Sequence, residues 1–181
     1  MKSWKENLKK KIERIKRIIN MIILIESIVL CILFTVMVYI MSRNPIATLY
    51  NYPPKIQERV KSIPEYKDKI PTTQNKILTK FIASIFIIII VSLILRYING
   101  YTSFIEGFGY GFLIWTIVNI YDVFVIDICW FCQSKEFIFK GTEDMTKEYR
   151  NYLFHIKESL KGELIALIVC SIVGLILEFV L

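Results

Sequence analysis

The sequence predicts an all-α chain: an integral membrane four-helix bundle with an interfacial amphipathic helix in its last loop. Three observations carry this. Hydrophobic residues make up 55% of the 181 and charged residues only 22%, against roughly 45–50% and about 25% in soluble domains. The apolar excess falls into four blocks, with nearly all the charge between them. Within the blocks there is no period-two alternation of the kind a membrane β-barrel shows, and four spans cannot close one. A disordered chain, a disulfide-stapled miniprotein and an ordinary soluble fold are excluded by the same facts.

The chain reads as one membrane domain, residues 1–181, opening with a basic tail at 1–17. Lys2, Lys5, Lys9, Lys10, Lys11, Arg14, Lys16 and Arg17 are interleaved with Leu8, Ile12, Ile15 and Ile19 at helical spacing. Such a tail either lies on an anionic membrane surface or anchors the topology by its charge alone. Span one covers about 18–41, span two 80–98, span three 107–131 and span four 163–181. Each approaches the roughly 20 residues that cross the hydrocarbon core. They are rich in β-branched residues, yet in lipid the backbone must satisfy itself, so helix prevails over strand.

Between spans one and two, the 42–79 loop holds every proline of the chain, Pro45, Pro53, Pro54, Pro64 and Pro71. Their spacing forbids a long helix and leaves room for a short one near Ile56–Ser62. The loop after span two is short, making spans two and three antiparallel neighbours. The last loop, 133–162, starts extended and turns at Lys140-Gly141. Thr142 then suits an N-cap, with Glu143 and Asp144 in the first turn. A helix to about Lys161 follows, with apolar Met145, Tyr149, Tyr152, Ile156 and Leu160 on one face.

An even number of spans puts both termini on one side, called A, with the two long loops on side B. Nine basic residues then flank side A and fourteen flank side B. The overall count favours external termini, whereas the basic tail before the first span favours cytoplasmic ones. The tail is given the greater weight, so the expectation is a plasma (inner) membrane protein of bacterial type with cytoplasmic termini. The pI near 9.2 belongs to membrane-flanking lysines and not to nucleic-acid binding.

Ionisable residues inside spans ask for a partner or a purpose. Glu26, Arg96 and Glu178 all fall toward side A, so a structural ion pair between Arg96 and one or both glutamates is expected. Small multidrug transporters also combine four helices with a glutamate in the first, though this chain is longer and Glu26 is not central. On side B, Asp122 and Asp127 have no basic residue at their depth. An α-helix turns Asp127 by about 140° from Asp122, so the two border one cavity from adjacent faces. In the last loop Asp144, Glu148, Asn151 and His155, the single histidine, form a stripe at i, i+4, i+7 and i+11. Folded over span three, that stripe makes Asp122, Asp127, Asp144, Glu148 and His155 candidate ligands for a divalent cation or small ligand. The alternative is a solvated charged face.

Cys129-Trp130-Phe131-Cys132 is a C-x-x-C at the B end of span three, the placement seen in quinone-linked disulfide oxidases. The second cysteine pair of those proteins is absent, and the C-terminal end of a helix disfavours a thiolate. Redox activity is therefore not expected. Gly107 and Gly111 make a G-x-x-x-G suited to close helix packing, within the chain or in a homo-oligomer.

The stretch Asn119 to Gly162 contains Asp122, Asp127-x-x-Trp130, Gly141-Thr142-Glu143-Asp144 and Phe154-His155. In this it resembles small uncharacterised bacterial four-span integral membrane proteins. That resemblance spans residues 119–162 and implies no activity. Two functions follow as expectations: a membrane protein with a ligand or metal site at the B end of span three, or a non-enzymatic scaffold or accessory subunit whose glycine face binds a partner. A transporter or a membrane thiol oxidoreductase stands behind these, and whether the chain is an enzyme is left open.

Overall fold

The computed structural model describes residues 2–181, with side-chain surroundings for all of these except 2–6, 8, 15, 16, 18, 73–77, 79, 80 and 83. Every regular element is helical: α1 (Lys2–Ser42), α2 (Pro54–Ser62), α3 (Thr73–Tyr97), α4 (Phe104–Tyr121), α5 (Thr146–Tyr149) and α6 (Tyr152–Phe179). A π-helical segment, Asp122–Phe131, continues α4 directly. Short 3-10 turns at Pro45–Asn51, Pro64–Lys69 and Lys135–Phe137 fill the loops.

Three stretches are long and apolar enough to cross a membrane: Lys9–Ser42, Phe104–Phe131 and Thr146–Phe179. A further apolar stretch, Ser84–Tyr97, forms the second half of α3. Only 6%, 11% and 28% of the most apolar windows of the three long stretches is buried within the chain. Isoleucines, leucines and phenylalanines therefore point outward in long continuous bands, which water does not tolerate and lipid tails do. This is a multi-pass membrane protein.

The basic tail is already helical at Lys2 and no turn separates it from the first apolar run. Leu8 and Ile15 of its expected apolar stripe lie outside the described side chains.

The bundle is organised around α4 and α6. Ala166, Cys170, Val173, Gly174 and Leu177 recur at helical spacing and are all buried on one face of α6. Small residues on α4 let this face approach. A Cβ at Gly107 would overlap Leu177 Cδ1 and lie 3.1 Å from Gly174 Cα, and one at Gly111 would lie 3.5 Å from Cys170 Sγ. In lipid no hydrophobic force drives helices together, so this proximity supplies the dispersion contact that does. The G-x-x-x-G face is thus occupied within the chain.

On side A, Ser103 caps α4 in a capping box with Glu106. The ion pairs expected there do not form. Glu26 accepts hydrogen bonds from Tyr110 Oη and Asn99 Nδ2, while Glu178 Oε2 accepts from the Phe104 N–H at 2.8 Å. That carboxylate sits where the dipole of α4 favours an acid. Among the described residues Arg96 makes no ion pair. Side-chain hydrogen bonds and a helix N-terminus stabilise the two glutamates in its place.

On side B the two long loops fold together into a cap. Leu49, Tyr52, Ile56 and Val60 from the proline-rich loop pack on Phe137, Phe139 and Tyr149 from the last loop, with Phe131 beneath. Pro54 at the first turn of α2 starts that helix two residues earlier than the sequence suggests. Gly141, at φ +86, makes the turn expected at Lys140-Gly141.

The last-loop helix differs in extent from the expectation. Thr142 is buried, and its hydroxyl donates to Phe139 O at 2.7 Å and pairs with Tyr149 Oη at 2.8 Å. It therefore caps nothing. The chain breaks again at Arg150-Asn151, where Asn151 Oδ1 accepts the Phe154 N–H at 3.1 Å and becomes the true N-cap. From there α6 runs without interruption through Gly162 into the last apolar run. The amphipathic segment is consequently the first turns of α6, with only the short α5 before it.

Candidate functional site

A cavity of about 630 Å³ opens where the cap meets the B end of the bundle. Its walls come from the last turns of α1, the loop around Asn51, the end of α4 with the π segment, and the start of α6. Asp122, Asp127 and His155 all border it, as the sequence suggested.

The π segment turns the two aspartates toward a common side. Its backbone bonds run from i to i+5, as in the Cys132 N–H donating to Asp127 O at 2.9 Å. Wider winding brings residue i+5 round to nearly the same side as residue i, replacing the 140° separation of an α-helix. Asp122 opens the π segment, and Asp127 follows five residues on. Isolated π turns cluster at functional sites; here the winding extends over ten residues.

His155 sits in the first turn of α6 and is 4% exposed. Its Nδ1 lies 3.1 Å from Asp127 Oδ2. The rings of Phe131 and Phe154 stand edge-on to it, with centroids 5.1 and 5.3 Å away. An ionised carboxylate only accepts, so at this distance Asp127 favours the tautomer with its proton on Nδ1 and none on Nε2. That Nε2 is buried and has no hydrogen-bond partner. Asp122 lies within electrostatic reach of both Asp127 and His155.

The other two expected ligands are elsewhere. Asp144 pairs with Arg59 at 3.2 Å and Glu148 with Lys55 at 3.4 Å, both across the cap to α2. The break at Arg150-Asn151 removes them from the helix that carries His155, and the predicted stripe dissolves. Among the described residues no three His, Cys, Asp or Glu side chains come close enough to share a metal ion.

Residues outside the predicted ligand set complete the site. Asn119 Nδ2 donates to Glu163 Oε1 at 2.7 Å and to Ser159 O at 3.2 Å. Thr116 Oγ1 donates to Glu163 Oε2 at 3.2 Å. This clamp fixes the start of α6 against the end of α4 and so sets where His155 stands. The depth of Asn119, a turn before Asp122, was the only available signal for it. Glu158 also borders the cavity, but its charge is balanced by Lys161.

Both cysteines of the C-x-x-C are free. Burial, with Asp127 adding to it, pushes the Cys132 thiol up to about 11, the reverse of what a reactive thiolate needs.

No family model, no curated protein and no solved structure matches this chain. The functional reading therefore rests on the geometry above.

Proposed function

We propose that this chain is a four-span membrane protein that binds a small ligand in the side B cavity, with the Asp127–His155 pair as its recognition element. The observation that carries the reading is one buried imidazole, its Nδ1 3.1 Å from the Asp127 carboxylate, in the wall of a cavity of ligand size that Asp122 also borders. Helix α3 supplies the fourth span in this reading. At 1.5 Å per residue its length is about 37 Å, enough for the core. It starts beside the cap and ends at side A, where Leu95 packs with Tyr110, Val173 and Leu177.

The scaffold alternative rested on the glycine face, and α6 covers that face. Placement in the inner membrane with cytoplasmic termini is part of the same proposal and is supported by the basic tail.

Native mass spectrometry of protein extracted gently from membranes tests the reading. Wild-type protein should retain a small-molecule adduct that Asp127→Asn and His155→Gln variants, equally folded, lose. Identical spectra for all three would contradict it.

A further inference from the structure

The first half of α1 extends past the bundle. Glu26 accepts from Tyr110 Oη, and Thr35 pairs with Tyr121 Oη, so α1 and α4 run side by side in one direction. By that register Phe104, where α4 starts, stands level with about residue 20 of α1. About eighteen residues, from Lys2 to Ile19, therefore project roughly 27 Å beyond the side A end of α4. Every described side chain from Asn7 to Arg17 is exposed. Among the described residues Lys9, Lys10, Lys11, Arg14 and Arg17 make no ion pair.

The pattern of this arm fits a charged surface. Residues 1–17 hold eight cations against two acids, Glu6 and Glu13. On a helical wheel Leu8, Ile12, Ile15 and Ile19 fall within about 60° of one another. Lys11 flanks that stripe on one side and Lys5, Lys9 and Lys16 on the other, each within about 90° of its centre. Both acids are turned about 130° or more away. Ile12 and Ile19 are 46% and 41% exposed, although a helix of this length draws its stability from covering such a face.

Three surfaces offer that cover. A second copy brings an arm of like charge, which repels. An acidic groove on a soluble protein matches the charge but must be recruited from solution. The membrane is already in reach, because α1 enters it at the foot of the arm and attachment is intramolecular. With side A cytoplasmic, that leaflet also carries the anionic lipid. Lying down requires a bend at the foot, where Asn20 is the only polar residue between Arg17 and Glu26 and is of a type that competes for nearby backbone. The bend releases about four backbone hydrogen bonds to water. Eight cations and the isoleucine stripe gain the surface in return.

We propose that residues 2–19 are an arm that recognises anionic lipid. Over a zwitterionic surface it continues α1 straight outward. Over an anionic one it bends at Asn20 and lies along the headgroups, isoleucines down and lysines among the lipid anions.

A nitroxide on Ser3→Cys, in a background without native thiols, follows the arm in nanodiscs of phosphatidylcholine, alone or with phosphatidylserine as about a third of the lipid. In phosphatidylcholine the label should collide freely with a water-soluble nickel complex. Phosphatidylserine should suppress those collisions and raise collisions with oxygen, which concentrates in the bilayer. Salt at about 1 M, where the Debye length is about 3 Å, should reverse most of the change. Each lysine near an anionic surface strengthens attachment about fivefold, so Lys9→Gln, Lys10→Gln and Lys11→Gln together should weaken it about a hundredfold and keep the label in water. A separate label at Lys140→Cys, in the cap, should read alike with and without these three substitutions and so report an intact fold. A Ser3 label equally wet in both lipids would overturn the proposal and leave the arm to an acidic soluble partner or to topology alone. Equal burial in both lipids would also contradict it, since the isoleucines would then suffice without charge. So would a triple variant that still answers to phosphatidylserine.

Discussion

At Asp127 a single carboxylate faces His155 Nδ1 at 3.1 Å and helps to anchor α6 on the π segment. Asp127→Ala should therefore lower stability by about 1–3 kcal/mol, the cost of leaving the buried imidazole without its polar partner. A fall in the thermal midpoint in mild detergent measures it. Cys132 gives a pH dependence with a definite sign. Its folded thiol titrates near 11, above the ordinary 9.0, so the folded state holds its proton more tightly than the unfolded chain. The stabilisation is complete below pH 9 and is lost as pH rises toward 11. Denaturant midpoints across that window should fall more steeply in wild type than in Cys132→Ala. Of these residues, the acids in span three and the lone histidine were legible in the sequence as types out of place in lipid. Their pairing was not, because it depends on a register between α6 and the π segment that no local pattern encodes.

Among the elements, the α4–α6 contact makes the sharpest distinction between neighbouring glycines. Gly107→Ala pushes a methyl into Leu177 and should cost about 1–3 kcal/mol as overpacking does. Gly109, two residues on, meets nothing within 4 Å. Gly109→Ala should be neutral or stabilise by up to about 1 kcal/mol through helix propensity. Comparing the two variants by thermal unfolding checks the packing face directly. The glycine spacing revealed that face but not its partner, since Gly174 and Cys170 form an inconspicuous stripe within an apolar run. The π winding had no sequence signal at all. Its residues, Asp122–Phe131, read as any β-branched span, and the assumed α-helical angle set the two aspartates on adjacent faces and not on one. The break before α6 was legible in principle, because Asn151 is a favoured N-cap, but the apolar stripe through Met145 and Ile156 argued for continuity.

For the whole molecule, the apolar blocks and the short helix in the proline-rich loop followed from hydropathy and proline placement, because lipid imposes those patterns segment by segment. The cap did not, since two loops separated by two spans meet in it through contacts such as Tyr52 with Phe139 at 5.0 Å between ring centroids. The ion pairs tying the cap, Arg59–Asp144 and Lys55–Glu148, are exposed enough that Arg59→Ala should change stability by less than about 1 kcal/mol. Orientation is checked with cysteines introduced singly at Ser3 and Lys140 in a background without native thiols. An impermeant reagent on intact cells should modify the second and spare the first, and the opposite pattern would reverse the topology.

Asp127 stands against Nδ1 of the buried His155, and the tautomer of that ring tests the pairing most directly. In ¹⁵N-histidine-labelled protein in nanodiscs, one-bond proton coupling should appear at Nδ1, with Nε2 resonating as an unprotonated nitrogen. A ring protonated at Nε2 and bare at Nδ1 would contradict the pairing with Asp127 and, with it, the site.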